Sequence, residues 1–442
     1  LLLMKRRKFI QQAGLTGLGL GVLPTILPAR SVFASSRAPR VKHVVVVLFA
    51  GGIRYQESLG KQYLAAQGGG TGNVMPSMFN GALPSSNLIF SPWDPAINGN
   101  SLQDFGTLFT DVQYGSGPTG HYNGYSTALT GNYTTNDLNL TQHPEYPTLF
   151  EYYRKHAADN PDAANCWWIS QNLGPYTLLN YSQHPDYGSV YGANHLRPLT
   201  LFDELGQKYF TEINSFHPEE QSRIFGVKGF LDNRFGNAIE GNVGGIQNTI
   251  ENRERIKQYI SGIYSGLAEL PLALPPGMGT NELTGDLISI SMGWSIMQEF
   301  APELMVLSTF DSDVCHNDFS GSIQNMHKAD YGVGWLWNQI QSDPEYADNT
   351  VMICMPEFGR NEEPNTIYDA NGLRAFDHTN DANSRNTFAL VVGPPGVVSQ
   401  GQVVNQQKQV VDLVPTVAEL LGFRNQIPSG LLGGTEWGEA LV

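Results

Sequence analysis

The chain has 442 residues, 41% of them hydrophobic and 11% aromatic, which is enough apolar material for one large core or two moderate ones. Its 48 glycines and 26 prolines point to long, turn-rich loops, and the abundant aromatics argue against disorder. A net charge of −15 argues against nucleic acid or an anionic lipid surface as a partner.

The first segment reads as an address. Lys5-Arg-Arg-Lys-Phe-Ile10 places paired arginines before two apolar residues, as twin-arginine export signals do. A weakly apolar, glycine-rich stretch from Ala13 to Ile26 follows, and Val32-Phe33-Ala34 offers small residues at a cleavage spacing. The apolar stretch is too short and too interrupted for a membrane span. Residues 1–34 are therefore expected to be a signal peptide and 35–442 a single domain with insertions, exported to the periplasm or beyond. The leader holds five basic residues and no acid, so its removal takes the net charge to −20.

Val41–Ala50 is expected to be a buried strand that ends at Gly51-Gly-Ile-Arg54. Leu102–Val112 leads into the glycine-rich turn Gly115-Ser-Gly-Pro-Thr-Gly-His121, and Tyr125–Leu129 has a helical pattern. Pro147–His156 is expected to be a helix with proline at its first position. Ala164–Ser170 reads as a strand. From Tyr181 to Pro276 the pattern is weakest, apart from a helix over Glu251–Leu267. Met292–Phe300 and His327–Ile340 are expected to be helices. Leu304–Thr309, Thr350–Met355 and Phe388–Val392 are expected to be strands. Val410–Leu421 is a helix that Gly422 stops. Strands alternating with helices argue for an α/β three-layer sandwich around a mostly parallel sheet.

Four clusters carry chemistry. Asp311-Ser-Asp-Val-Cys-His316 follows a strand directly, and two carboxylates with an imidazole suit a divalent metal. Glu357-Phe-Gly-Arg360 ends the next strand, so Glu357 can ligate a metal, accept a proton or pair with Arg360. Either residue of Asp377-His378 can complete a site with these two clusters. In the glycine-rich turn, Ser116, Thr119 and His121 supply donors at a helix N-terminus, where an anion is favoured. Three cysteines are present: Cys354 within an apolar strand, and Cys166 and Cys315, which either pair or remain free.

These motifs, in this order, resemble the alkaline phosphatase superfamily, which includes sulfatases and cofactor-independent phosphoglycerate mutases. The match runs from Val41 to the C-terminus and is weakest in the middle third. Gly51-Gly-Ile-Arg54 stands where relatives carry Asp-Gly-x-Arg, and Glu357-Phe-Gly359 stands where they carry Asp-His-Gly. Gly393-Pro-Pro, Asp412-Leu-Val-Pro-Thr416 and Glu419-Leu-Leu-Gly422 are similar to the closing segment of sulfatases. The closest likeness is to a twin-arginine-exported branch with a Glu-Phe-Gly-Arg strand end.

The resemblance implies an alkaline-phosphatase-like fold with a smaller C-terminal sheet portion, and metal-dependent hydrolysis of phosphate or sulfate esters. The departures fall on one ion's ligands: Gly51 replaces an aspartate, Phe358 replaces a histidine, and the nucleophile position falls on Gly117 or Ser116. One divalent ion is then expected rather than two, held from among Asp311, Asp313, His316, Asp377 and His378. Glu357, Ser116, Thr119 and His121 would be the catalytic or anion-contacting groups. The alternative is a degenerate relative that binds an anionic glycan or a protein without turnover.

Overall fold

A computed structural model describes residues 38–67, 70–85, 89, 93–135, 142–157, 161–170, 178–201, 246–264, 270–379 and 381–442. The expected leader and its cleavage site lie outside them. The unit that begins at Ser36 carries all of the elements below. Among the described residues, no helix is long and apolar enough to cross a membrane.

Nine strands form one mixed sheet in the order β4-β3-β5-β1-β6-β7-β2-β8, with β9 also on β2. They are β1 (His43–Phe49), β2 (Gly106–Gln113), β3 (Cys166–Ser170), β4 (Asn194–Leu196), β5 (Leu304–Thr309), β6 (Thr350–Pro356), β7 (Asn386–Val392), β8 (Gln402–Val404) and β9 (Lys408–Gln409). The pairings are parallel except those of β7 with β2 and β6. The C-terminal sheet portion is the short pair β8 and β9, which extends the same sheet through β2.

After His43, strand β1 is a run of β-branched and apolar residues, and every residue of the strand is buried. A parallel strand covered on both faces reads in this unbroken way. Its alternate residues feed two cores. Val45, Val47 and Phe49 pack towards helices α4 (Gly285–Phe300) and α5 (Phe319–Ser342), through Leu287, Ile290, Val333 and Leu336. Val44, Val46 and Leu48 pack towards α1 (His121–Thr130), α2 (Leu149–His156) and α6 (Leu413–Leu420), through Ala128, Leu149, Val414 and Val417. Helix α3 (Ile250–Tyr264) adds Ile256 and Ile260 to the first core. The expected three layers are present.

Several helices begin away from their expected starts. Pro147 precedes the N-cap of α2 and is not its first residue: Thr148 caps, accepting from the Glu151 N–H, and the Glu151 side chain returns the bond. Helix α4 starts at Gly285 behind the cap Thr284, and α5 starts at Phe319 behind Asp318, whose side chain accepts from Gly321 N–H. The end of the helix expected to reach Leu267 lies outside the described residues.

The parallel register aligns the carboxyl ends of the central strands. Phe49 of β1 stands beside Thr309 of β5 and Pro356 of β6. Gly51, the 3₁₀ turn Asp311–His316 and Glu357 follow these ends directly. In open α/β sheets this edge is where ligands bind.

Candidate metal centre

Three imidazoles meet at that edge. His121 comes from the first turn of α1, His316 from the 3₁₀ turn after β5, and His378 from the loop before β7. Each has its Nδ1 taken. His121 Nδ1 lies 2.6 Å from Glu357 Oε1, His316 Nδ1 lies 2.6 Å from Asp377 Oδ1, and His378 Nδ1 lies 2.5 Å from the Thr119 carbonyl oxygen. A carbonyl or carboxylate only accepts, so each Nδ1 carries a hydrogen and each Nε2 is left to face inward.

The Nε2 atoms converge on one oxygen. Asp313 Oδ1 is 3.1 Å from His121 Nε2, 3.3 Å from His316 Nε2 and 3.8 Å from His378 Nε2. His316 Nε2 and His378 Nε2 are only 2.9 Å apart. Two ring nitrogens whose Nδ1 partners make them both acceptors repel at that distance unless a cation lies between them. The ligand atoms of these four residues all fall within 4.8 Å of one another, and among the described residues they form the one such group. Three imidazoles and a carboxylate suit zinc and similar divalent ions.

The electrostatics favour a cation at the centre. Burial opposes charge on His121, but Glu357 and Asp313 outweigh it and hold its pKa up at about 9. Burial pushes His378 down to about 3, and the positive charges of His121 and Arg360 add to that. Burial would raise Asp313, yet the hydrogen bonds from His121 and His316, with the Arg360 charge, hold it well below the usual carboxylate range. A metal therefore enters a site where a proton on His121 is the competing cation.

Arg360 and Glu357 frame the centre from within. Arg360 is 1% exposed; its Nη2 donates to Asp313 Oδ1 at 2.8 Å and to the Gly51 carbonyl, and its Nε donates to the Gly52 carbonyl at 3.1 Å. Glu357 is fully buried, accepts from the Gly51 N–H at 2.8 Å, and leaves Oε2 without a hydrogen-bond partner among the described residues. Burial raises its pKa, with His121 opposing. Phe358, also fully buried, packs on His378 with ring centroids 4.8 Å apart. The open side of the centre is at His316 and Asp377, each about one-third exposed.

No protein-family model and no curated protein sequence matches the chain. Solved structures do. Alkaline phosphatase PafA is 11% identical, with a TM-score of 0.46, covering 92% of this chain and 100% of its own. The PsFucS1 sulfatase from Pseudoalteromonas sp. is 13% identical, with a TM-score of 0.45, covering 92% of this chain and 72% of its own. The lipoteichoic acid synthase LtaP from Listeria monocytogenes is 9% identical, with a TM-score of 0.44, covering 90% and 76%. Similarities this distant leave reaction and substrate to the residues of this chain.

The residues singled out in the sequence divide into those at the centre and those beside it. Asp313, His316 and His378 meet, and Asp377 stands behind His316. Asp311 turns away: its Oδ2 accepts from the Asp286 N–H at 2.9 Å in the first turn of α4, while Asp286 Oδ1 accepts from the Phe310 N–H at 2.7 Å. His121 lies among the candidate ligands, a place its position in a glycine-rich turn does not announce. Glu357 holds His121 from behind. Thr119 is buried, and its Oγ1 donates to the His378 carbonyl at 3.0 Å. Ser116 is exposed on the turn before α1. Its neighbour Gly117 has φ +86°, and a Cβ there would run into the Thr134 carbonyl oxygen, so that position serves the turn. Cys166, Cys315 and Cys354 are all buried and free.

Proposed function

We propose that the chain binds one divalent metal ion through Nε2 of His121, His316 and His378 and Oδ1 of Asp313, and that it is an exported hydrolase of phosphate or sulfate esters. The observation that supports the metal is the convergence of three Nε2 atoms on Asp313 Oδ1, each on a ring whose Nδ1 is held by an acceptor. A divalent ion supplies Lewis acidity towards a phosphoryl or sulfuryl oxygen. The chain's own part is to orient the imidazoles, hold Asp313 ionised beside Arg360, and shield one face with Phe358. The resemblance of its ordered motifs to sulfatases and phosphatases supports the ester class, and the paired arginines before Phe9 support export.

A specific observation favours a second reading, an anionic-glycan- or protein-binding relative without turnover. Four protein ligands match closed structural zinc sites, whereas catalytic sites keep a position open. Glu357 is sealed from substrate, and Ser116 stands exposed on its turn.

Two measurements separate the readings. Elemental analysis of natively exported protein is expected to show one transition metal per chain, reduced to trace in His316→Ala. Aryl phosphate and aryl sulfate panels are then expected to be turned over by the wild type and not by that variant. Metal without turnover on any ester selects the binding reading; absence of metal rejects the centre.

A further inference from the structure

A second concavity lies on the other flank of α1. Its floor is a stripe of that helix, Tyr122, Ser126 and Thr130, spaced four residues apart and all buried. The walls come from 132–135, 142–146 and 183–185, and the cavity volume is about 590 Å³. That is within the range that takes a small organic ligand. The wall at 134 sits against the first turn of α1, since Asn123 Nδ2 donates to the Thr134 carbonyl.

The lining specifies a ligand class. Among the described residues it contains no lysine and no arginine, and Glu145 is its carboxylate. In a chain of net charge −15, an anion gains nothing there. Greasy ligands are also poorly served, because the lining is mostly hydroxyl, amide and polar aromatic residues. What such a surface fits is a neutral polyhydroxylated ring, because amides, hydroxyls and imidazole answer hydroxyls that both donate and accept. Two wall groups are already set for this. The His143 ring is stacked on Tyr181 at 4.1 Å, and its Nδ1 is bound to the Leu178 carbonyl at 2.7 Å, which leaves Nε2 as an acceptor. Gln183 is fixed by donating to the His143 carbonyl at 2.8 Å, so its amide oxygen remains.

We infer that this cleft is a saccharide-binding site for a neutral sugar unit, separate from the metal centre. It does not rest on the ester-hydrolase reading.

The test is an array of immobilised neutral oligosaccharides probed with the intact chain, followed by calorimetric titration of the best neutral member. Binding is expected to weaken about tenfold or more in Tyr146→Ala and in the exposed-wall variant Gln142→Ala, whose folding is checked by thermal unfolding. It is expected to persist in His316→Ala and in excess inorganic phosphate. No neutral member above background, binding unchanged in both wall variants, or displacement by phosphate would each overturn the inference. Absence of metal from the wild-type chain with sugar binding intact would reject the centre and leave this site standing.

Discussion

Glu357 stands behind His121, fully buried and bound to His121 Nδ1 and the Gly51 N–H. In the proposed centre it fixes which nitrogen of His121 faces inward. Gly51 belongs to the same arrangement. Its φ is +100°, and a Cβ there would lie 2.8 Å from Asp313 N, so an aspartate has no room at that position. Arg360 supplies positive charge to Asp313 from this side instead. Outer hydrogen-bond partners of ligating histidines contribute on the order of ten- to hundredfold in metal affinity. Glu357→Ala is therefore expected to weaken zinc binding by about that factor in a competition titration with a chromogenic chelator. Glu357→Gln, which keeps an acceptor oxygen, is expected to lose less. Equal losses in the two variants would mean that orientation of His121 is not what Glu357 provides.

At the scale of elements, α5 is tied to the loops beneath it by His327. The ring is 1% exposed; its Nδ1 donates to the Val74 carbonyl at 2.7 Å, and its Nε2 accepts from the Trp93 N–H at 3.0 Å. Protonating Nε2 would set two hydrogens against each other. Burial lowers the pKa to about 4 from 6.5. A depressed pKa means that the contribution to stability is complete above pH 6.5 and is lost as pH falls towards 4, because the unfolded chain takes the proton first. The gap corresponds to about 3 kcal/mol. Urea unfolding between pH 7.5 and 4.5 is expected to show the wild type losing roughly 2–3 kcal/mol more than His327→Gln. Parallel pH profiles would remove His327 from the acid response. The strands are the legible elements of this sequence, because consecutive valines such as those of Val44–Leu48 crowd a helix and suit a strand covered on both faces. Helix α5 is half legible: Phe319–Asn325 is rich in serine, glycine and asparagine, which are weak helix formers, and tertiary packing overrides them with Ser320 and Ser322 buried. His316 and His378 are legible as ligands because each lies close in sequence to an acid. His121 is not, since its partner Glu357 is 236 residues away and nothing local records the contact.

For the whole molecule, the centre gathers segments that the chain order keeps far apart: the turn into α1, the 3₁₀ turn after β5, the end of β6, and the loop at 377–378. A metal held there bridges both sides of β1, because Asp313 and His316 follow β5 while Glu357, behind His121, follows β6. An ion that binds the folded chain and not the unfolded one stabilises it by mass action, by about 2.7 kcal/mol at a concentration one hundred times Kd. In a chain of this length each kcal/mol moves the midpoint by only a degree or two, so the expected gain in Tm on adding zinc to chelator-treated protein is about 3–5 °C. The gain should grow with the logarithm of zinc concentration and disappear in His378→Ala, which removes a proposed ligand. Differential scanning calorimetry with and without zinc reads this directly. A Tm that rises equally in His378→Ala would place the bound ion elsewhere on this acidic surface, and a Tm indifferent to zinc in the wild type would show that Asp313 and its three imidazoles are held together by protons and Arg360 alone.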